Sequence, residues 1–322
     1  MSAGSRVFSS LEEVRLANRP LHVAVGMFDG VHRGHRLVIE SAVEAARHAS
    51  GLSGVLTFWP HPSRLFRPDD PTRLIFDNDA RRELLSQVHV DFIIEQPFTR
   101  DFASVEADDF IQHVRRSLPS LDTLYVGENW RFGRGRRGDV SLLVKLAREV
   151  KLNVVSVDRL HFNGEPVSST RIRGLIEAGD VESAQELLGF RYFATGVVIP
   201  GRQLGRTINV PTLNLDWQPD LRPALGVYAV RVRRSGETAL LSAVANYGVR
   251  PTVDGQGAPL LEVHILGECP FGTGDRLHVD WCRRLRGEER FESLDALRAQ
   301  VDRDRVAAAQ YFAAAVRVRH VP

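Results

Sequence analysis

The stretch Gly26-Met-Phe-Asp-Gly-Val-His-Arg-Gly-His35 follows an apolar run and precedes a helical pattern that begins near Leu37. This order predicts a strand that turns into a helix, with two imidazoles, His32 and His35, at the turn. In an open α/β sheet, ligands bind beyond the carboxyl ends of the strands, and the first turn of a helix offers unpaired N–H groups to a phosphate. The two histidines add hydrogen-bond donors at that position, so the stretch indicates an anion-binding site.

Outward from this turn, apolar runs and helical patterns alternate over the first 189 residues. The apolar runs that predict strands are Leu21–Val25, Gly54–Phe58, Asp91–Glu95, Thr123–Val126 and Leu152–Val157. The helical patterns, in which apolar residues recur at intervals of three and four, cover residues 37–49, 79–88, 105–117, 140–150, 169–178 and 181–188. Continuous apolar strands that alternate with helices predict a doubly wound parallel sheet that is covered on both faces.

After Gly189 the sequence changes character. Short β-branched and aromatic runs, separated by Gly and Pro, cover Arg191–Ile199, Gly226–Val232, Ala239–Ala245, Leu260–Leu266 and Arg276–Arg283. Such spacing indicates an antiparallel barrel or sandwich, of which we expect the barrel. A terminal helix is predicted from Ser293, a plausible N-cap, to about Val316. We therefore expect two domains, residues 1–189 and 190–322.

The composition excludes several classes of function. Hydrophobic residues make up 43% and charged residues 25% of the 322 residues, as in a globular protein of two domains. Only two of the 42 basic residues are lysines, Lys145 and Lys151, and neither lies in a G-x-x-x-x-G-K-[ST] sequence, so no Walker A loop is present. The two cysteines, Cys269 and Cys282, are too few for a zinc framework, and we expect free thiols. Without a signal-peptide pattern or a run of ~18 apolar residues, we expect a cytoplasmic protein that binds no membrane.

The H-x-G-H arrangement of His32 and His35 resembles the nucleotidyltransferase superfamily. The preceding Phe28-Asp-Gly-Val31 makes the stretch similar to that of the prokaryotic bifunctional riboflavin kinase/FAD synthetases. The resemblance implies a Rossmann-like N-terminal domain that transfers AMP from ATP to FMN and releases pyrophosphate. It implies that both histidines are catalytic, at the α-phosphate, and that the loop binds ATP through Gly26, Phe28, Asp29 and Gly30.

A second motif is Val167-Ser-Ser-Thr-Arg-Ile-Arg173. By itself it can be a good helix N-cap, formed by Ser168 or Ser169. Two arginines in the first turn oppose the helix dipole, however, and are better tolerated when an anion lies between them. The motif resembles the family's S-S-T-x-I-R sequence, which implies that ATP phosphates are bound by Ser168, Ser169, Thr170 and Arg173.

Two aromatic segments complete this half of the chain. Gly127-Glu-Asn-Trp-Arg-Phe-Gly133 runs into an arginine–glycine segment, which can be interpreted as a single-stranded nucleic-acid platform. A short basic segment and a net charge of +2 argue against that function, so we expect no nucleic-acid partner. Both this turn, where Trp130 replaces the usual Phe, and Thr57-Phe-Trp-Pro-His-Pro62 resemble family segments near the flavin. The residues this implies for flavin binding are His61, Asn129 and Trp130.

In the second half, a glycine-bounded loop, Gly201-Arg-Gln-Leu-Gly-Arg206, leads to Pro211-Thr-Leu-Asn214. Glycines let a backbone approach phosphate, and Thr and Asn oxygens are hard ligands that suit Mg²⁺. The segment resembles the ATP loop of riboflavin kinases. That resemblance implies ATP contacts from Gly201, Gly205, Arg206 and Pro211, and Mg²⁺ ligands from Thr212 and Asn214.

The remaining candidates lie further along the predicted barrel. In Leu261-Glu-Val-His264, Glu262 and His264 should share one face of a strand. We expect Glu262 to point into the barrel mouth and to accept the proton of the riboflavin 5′-hydroxyl as a general base. The sequence from Arg286 to Phe291 resembles the family's R-x-E-x-x-F turn, which implies that these two residues lie near the flavin.

The resemblance covers about residues 20 to 310 and supports a bifunctional enzyme that acts on riboflavin, FMN and ATP with Mg²⁺. Departures from the family pattern lie in the kinase half, at Asn209, Leu213 and residues 268–274. The alternatives are therefore an FMN adenylyltransferase with a degenerate kinase domain, and a flavin-sensing or RNA-binding regulator without catalysis. Retained phosphate-handling residues argue against the regulator. The sequence does not decide whether the protein associates with itself.

Overall fold

The computed structural model describes residues 5–201, 211–249 and 259–318, with side chains described as far as residue 314. They fold into two compact units, residues 1–169 and 170–322. Among the described residues, no helix combines the length and apolar character needed to cross a membrane. Both cysteines, Cys269 and Cys282, are free thiols, as expected.

The first unit is built on a six-stranded sheet in which every pairing is parallel. Its strands are β1 (Arg6–Phe8), β2 (Leu21–Val25), β3 (Leu52–Trp59), β4 (Phe92–Pro97), β5 (Leu121–Gly127) and β6 (Asn153–Val157). The spatial order is β1-β4-β3-β2-β5-β6. The doubly wound sheet is thus confirmed, and β1 is an addition: its three residues are too few to show a pattern, and they become a strand only by pairing with β4.

The helices of this unit are α1 (Arg33–His48), α2 (Pro62–Phe66), α3 (Asn78–Ser86), α4 (Arg100–Ala103), α5 (Phe110–Ser117) and α6 (Val140–Glu149). The prediction that a helix begins at residue 105 is wrong. The carbonyl oxygen of Val105 accepts a hydrogen bond from the backbone N–H of Arg134 at 2.7 Å, so a neighbouring turn takes the backbone group that a helix would use. α2 and α4 were not predicted, because four or five residues cannot display a helical period.

The order in which successive strands are added to the sheet reverses beside β2. From β2 the chain moves to β3 and then to β4 on one side, whereas β5 and β6 lie on the other side. Open α/β sheets bind ligands at such a topological switch point, outside the carboxyl ends of the strands. The loop after β2 therefore lies where a ligand is expected.

The second unit contains α7 (Ser169–Ala178, its first residue belonging to the first unit), α8 (Val181–Leu188) and a closed antiparallel barrel. Ahead of α7, β7 (His161–Phe162) and β8 (Glu165–Pro166) form a short antiparallel pair in the first unit. The barrel strands are β9 (Phe193–Ile199), β10 (Leu213–Asp216), β11 (Gly226–Arg234), β12 (Leu241–Val249), β13 (Pro259–Ile265) and β14 (Arg276–Arg286). Their order is β10-β13-β12-β11-β14-β9, and the terminal helix is α9 (Leu294–Val318). This confirms the barrel over the sandwich.

Large aromatic side chains fill the barrel. Trp281 is fully buried, and its ring packs edge-on against Tyr228 at 4.7 Å and against Tyr247 at 5.9 Å. Burial raises the pKa of Tyr228 to about 12. On the outside, Ala308 and Phe312 of α9 join the apolar cluster over β11 and β12. The interior is therefore a packed core, so ligands of this unit must bind on its outer surface or its rim.

Candidate active sites

The turn after β2 brings its two histidines into contact. His32 is the N-cap of α1, and its Nδ1 accepts a hydrogen bond from the backbone N–H of His35 at 3.2 Å. The two rings stack at 3.6 Å between centroids, and the ring of Phe28 meets His35 edge-on at 5.4 Å. Because Nδ1 accepts, a neutral His32 carries its proton on Nε2.

The backbone before this pair is held in an uncommon conformation. Phe28, Gly30 and Val31 have φ values of 49°, 82° and 39°, in the left-handed range. A Cβ at Gly30 would lie 2.7 Å from Cδ1 of Ile75, and Asp29 accepts a hydrogen bond from the backbone N–H of Ile75 at 3.0 Å. The buried Asp29 therefore fixes the shape of the loop, which is a contribution beyond the ATP contact that the sequence suggested.

The serine–serine–threonine motif is joined to the same loop. The hydroxyl of Ser169 donates to the backbone carbonyl of Asp29 at 3.0 Å. Since α7 begins at Ser169, Ser168 occupies the N-cap position, Thr170 lies in the first turn, and Arg173 is the fifth residue of the helix. Ser169, the last residue of the first unit, thus contacts the loop that carries His32.

The aromatic candidates follow β3 and β5. His61 caps α2, where its Nδ1 accepts from the backbone N–H of Ser63 at 3.1 Å. Asn129 is exposed, and Trp130 stacks on Phe132 with 4.9 Å between ring centroids and an interplanar angle of 13°. Because β3, β2 and β5 are neighbours in the sheet, their carboxyl ends bring both aromatic segments to the edge that carries His32.

In the barrel, strand register aligns three polar residues. Glu262 on β13 pairs with Asn214 on β10 and with Asn246 on β12. Directly paired residues of antiparallel strands point to the same face, so the three form a cross-strand row. Asn246 was missed as a candidate site residue, because only the strand register shows its place beside Glu262.

The expectation that Glu262 points into the barrel mouth is wrong. Side chains alternate along β13, and Leu261 and Val263 are the buried residues, at 1% and 0% exposure. Glu262 and His264 therefore share the outer face of the barrel, where Glu262 is half-buried. Glu262 and His264 share one face of the strand, as predicted. That face points outward because aromatic and aliphatic side chains fill the interior of the barrel.

The candidate ATP segment is held close to this row. A Cβ at Gly201 would lie 2.0 Å from Nδ2 of Asn214, so the amide rests on a glycine that leaves room for it. Nδ1 of His264 lies 2.9 Å from the carbonyl oxygen of Pro211, just ahead of the exposed Thr212. Three residues that the sequence placed in this loop lie outside the described residues: Gly205, Arg206 and Asn209.

Arg286 and Phe291 lie beside α9. Nε of Arg286 lies 3.0 Å from Oδ1 of Asp304, and its Nη2 lies 2.8 Å from Oδ2. The guanidinium carbon also lies 5.8 Å from the ring centroid of Phe291. Arg286 thus ties β14 to α9. The flavin contact suggested for both residues stays a prediction.

These features define the class of protein. A parallel sheet carries paired histidines at the amino end of a helix, and a separate barrel carries a carboxylate flanked by amides beside a glycine-rich segment. The arrangement is that of a two-unit transferase that acts on nucleotides.

Comparison with known proteins makes the assignment specific. The family model for FAD synthetase matches residues 15–171, and the model for riboflavin kinase matches residues 188–312. The bifunctional riboflavin kinase/FMN adenylyltransferase of Escherichia coli (strain K12) is 37% identical over 291 residues, which cover 90% of this chain and 92% of that protein. The one of Haemophilus influenzae is 34% identical over 92% of this chain and 96% of its own length. The chain belongs to the family of bifunctional riboflavin kinase/FMN adenylyltransferases.

A solved structure extends the similarity to the fold. A crystal structure described as a macrolide-efflux protein from Streptococcus pneumoniae matches with a TM-score of 0.85 and 27% identity. The match covers 95% of this chain and 99% of that one.

Proposed function

We propose that the chain phosphorylates riboflavin to FMN in its second unit and adenylylates FMN to FAD in its first, with ATP as the co-substrate of both reactions. The observation that carries the adenylylation is the stacked pair of His32 and His35 at the amino end of α1, at the switch point of the sheet. Family membership supports both activities.

For adenylylation, the protein must align two phosphates and stabilise developing charge, since the FMN phosphate is itself the nucleophile. His32 offers its Nε2–H to an α-phosphate oxygen, and His35 acts beside it. Ser169, Thr170 and Arg173 would hold the departing pyrophosphate at the start of α7. His61, Asn129 and Trp130 would hold the flavin at the ends of β3 and β5.

For phosphorylation, Glu262 would accept the proton of the riboflavin 5′-hydroxyl as that oxygen attacks the γ-phosphate of ATP. Asn214 and Asn246 flank the carboxylate in the cross-strand row and would orient it. Gly201 and Pro211 would contact the nucleotide. Leu213, which departs from the family pattern, pairs in regular register with Val263, so the strand accommodates it.

The residues present fit a Mg²⁺ ion. Thr212 and Asn214 supply neutral hard oxygens, and Asn214 is held in place by the close approach of Gly201. Within the described residues, no group of three or more His, Cys, Asp or Glu side chains could hold a metal alone. A Mg²⁺ ion at this place would therefore be held partly by these side chains and partly by the nucleotide phosphates, which is the usual mode for Mg²⁺. When bound, the ion would neutralise charge on the transferred phosphoryl group.

The test is chromatographic separation of flavins after incubation of the pure protein with riboflavin and Mg-ATP. The wild type should form FMN and FAD. His32→Ala should abolish FAD formation and keep FMN formation, whereas Glu262→Gln should slow phosphorylation roughly 10²- to 10⁴-fold and keep adenylylation of supplied FMN. FAD formed from FMN without any FMN formed from riboflavin would reduce the function to adenylylation. Absence of both products would refute the proposal.

A further inference from the structure

Arg81 is a buried cation that the proposed chemistry does not use. It lies in α3 and is 5% exposed, although the side chain of the adjacent Arg82 is 43% exposed. A charged side chain is almost never fully buried unless it is paired. Its partner is Glu95 on β4, which is 4% exposed, and Nη2 of Arg81 lies 3.1 Å from Oε1 of that carboxylate.

The other side of the guanidinium contacts two loops. Nη1 of Arg81 donates to the backbone carbonyl oxygens of Met27 and Phe58, each at 3.2 Å. The hydroxyl of Thr57 also donates to the carbonyl of Met27 at 3.2 Å. The guanidinium carbon lies 5.4 Å from the ring centroid of Trp59. One planar group therefore joins the end of β3 to the residue that opens the loop after β2.

These loops carry the two substrates in the proposed adenylylation. Met27 directly precedes the segment of residues 28–35, which is assigned to ATP, and Phe58 precedes His61, which is assigned to FMN. Each loop keeps its own binding residues when Arg81 is changed. The shared guanidinium acts together with the Thr57 hydroxyl to fix the distance between the two loops.

We propose that Arg81 is a positioning residue for adenylyl transfer, which sets the spacing between the ATP loop and the FMN loop. The inference rests on the proposed function of the first unit. Reacting atoms must approach to ~3–3.5 Å in line, and a displacement of ~1 Å can slow the reaction ~10²-fold. Glu95 supplies the negative charge that allows the cation to stay buried at this place.

The test compares Arg81→Lys and Arg81→Met with Arg82→Met. Arg82 is the matched control, because it is the neighbouring arginine and also pairs with Glu95 but has no hydrogen bond to Met27 or Phe58. ATP and FMN dissociation constants are measured separately by flavin fluorescence and by calorimetry, and kcat for FAD formation is measured at saturation. Amide hydrogen exchange in β2 and β3 reports the fraction of protein whose first unit is folded, because riboflavin phosphorylation reports only on the second unit.

Arg81→Met should lower kcat for FAD formation ~10²-fold with both dissociation constants within about threefold of the wild type. Arg81→Lys keeps the charge beside Glu95 but has no planar fork that reaches both carbonyls, so its kcat should fall about tenfold. Arg82→Met should keep the wild-type kcat.

Wild-type kcat in Arg81→Lys would overturn the inference, even if Arg81→Met fails to fold. Weakened binding of ATP or FMN that accounts for the whole loss of rate would also overturn it, because Arg81 would then be a binding residue. A wild-type protein that forms no FAD would instead refute the proposed function.

Discussion

At the residue scale, Gly201 is the position where one added methyl group should affect the kinase site most selectively. A Cβ there would lie 2.0 Å from Nδ2 of Asn214, which must move away. Because Asn214 is buried and its amide must shift, Gly201→Ala should lower the free energy of unfolding by about 1 kcal/mol. Displacement of a proposed Mg²⁺ ligand should lower riboflavin phosphorylation roughly 10- to 100-fold, measured at saturating Mg-ATP.

The matched control for this change is Gly272→Ala. Gly272 also lies in the second unit, and nothing stands within 4 Å of the Cβ it would gain. Its phosphorylation rate should equal that of the wild type, and FAD formation from FMN should be unchanged in both variants. Equal kinase rates in Gly201→Ala and Gly272→Ala would remove Asn214 from the mechanism.

A second residue-scale prediction concerns His22, a buried imidazole in β2 that is 5% exposed. Nδ1 lies 3.1 Å from the hydroxyl oxygen of Tyr125, and Nε2 has no hydrogen-bond partner among the described residues. Burial lowers the pKa of His22 from its ordinary 6.5, and the charge of Asp122 opposes this shift only in part. Between the lowered pKa of the folded chain and 6.5, the unfolded chain therefore binds a proton that the folded chain does not.

It follows that the free energy of unfolding of the first unit should fall as pH falls below about 6.5. Urea midpoints measured from pH 7.5 to 5 should show a smaller fall in His22→Gln than in the wild type. His48→Gln, which removes an exposed imidazole from α1, should keep the wild-type slope. The same slope in all three proteins would show that His22 is not the responsible group.

At the scale of elements, the attachment of α9 to the barrel depends on a buried ion pair. The side chains of Arg286 and Asp304 are 17% and 7% exposed. The carboxylate of Asp304 accepts hydrogen bonds from Nε and Nη2 of Arg286. Asp304→Asn leaves the cation poorly compensated. It should lower the free energy of opening, measured by amide hydrogen exchange in α9 and β14, by about 3 kcal/mol.

Asp302→Asn provides the comparison on the same helix. Its side chain is 57% exposed and pairs with Arg305 at 3.1 Å, so the loss should be below about 1 kcal/mol. If both variants exchange at equal rates, the contact between Arg286 and Asp304 does not hold α9 to the barrel.

At the scale of the whole molecule, α7 and α8 belong by their contacts to the unit that contains the barrel. Arg284 donates through Nη1 to the carbonyl oxygen of Ala178 at 3.3 Å, and α8 packs on β14 with Leu187 and Leu188 buried. A boundary at 189 and 190, which we propose for the two activities, therefore cuts contacts that stabilise the barrel.

Two fragments test the consequence. Residues 190–322 should fold and bind riboflavin, and residues 170–322 should do so with a free energy of unfolding higher by at least about 2 kcal/mol, because the apolar face of α8 stays buried. Urea denaturation followed by tryptophan fluorescence measures the difference. Equal stability would mean that the two helices contribute nothing to the barrel. An insoluble 190–322 fragment would refute the independence of the kinase domain.

The sequence by itself determined the order of elements and the chemistry of the main motifs. Continuous apolar runs that alternate with helical patterns predict parallel strands. An H-x-G-H stretch after such a run predicts a phosphate-binding turn. Local patterns of this kind depend on residues a few positions apart, so they can be recognised along the chain. The aromatic side chains of the barrel strands could be recognised in the same way.

The tertiary structure alone decided which distant residues meet. Glu262 lies between Asn214 and Asn246 only because strand register places them in one row, and its side chain faces outward because apolar residues occupy the interior. In the sequence, Arg81 resembles the exposed arginine beside it. Its burial arises because Glu95 and the carbonyls of two loops converge on it, and these partners are 14 to 54 positions away along the chain. Partners at such distances are set by packing of the whole sheet, which no local pattern encodes.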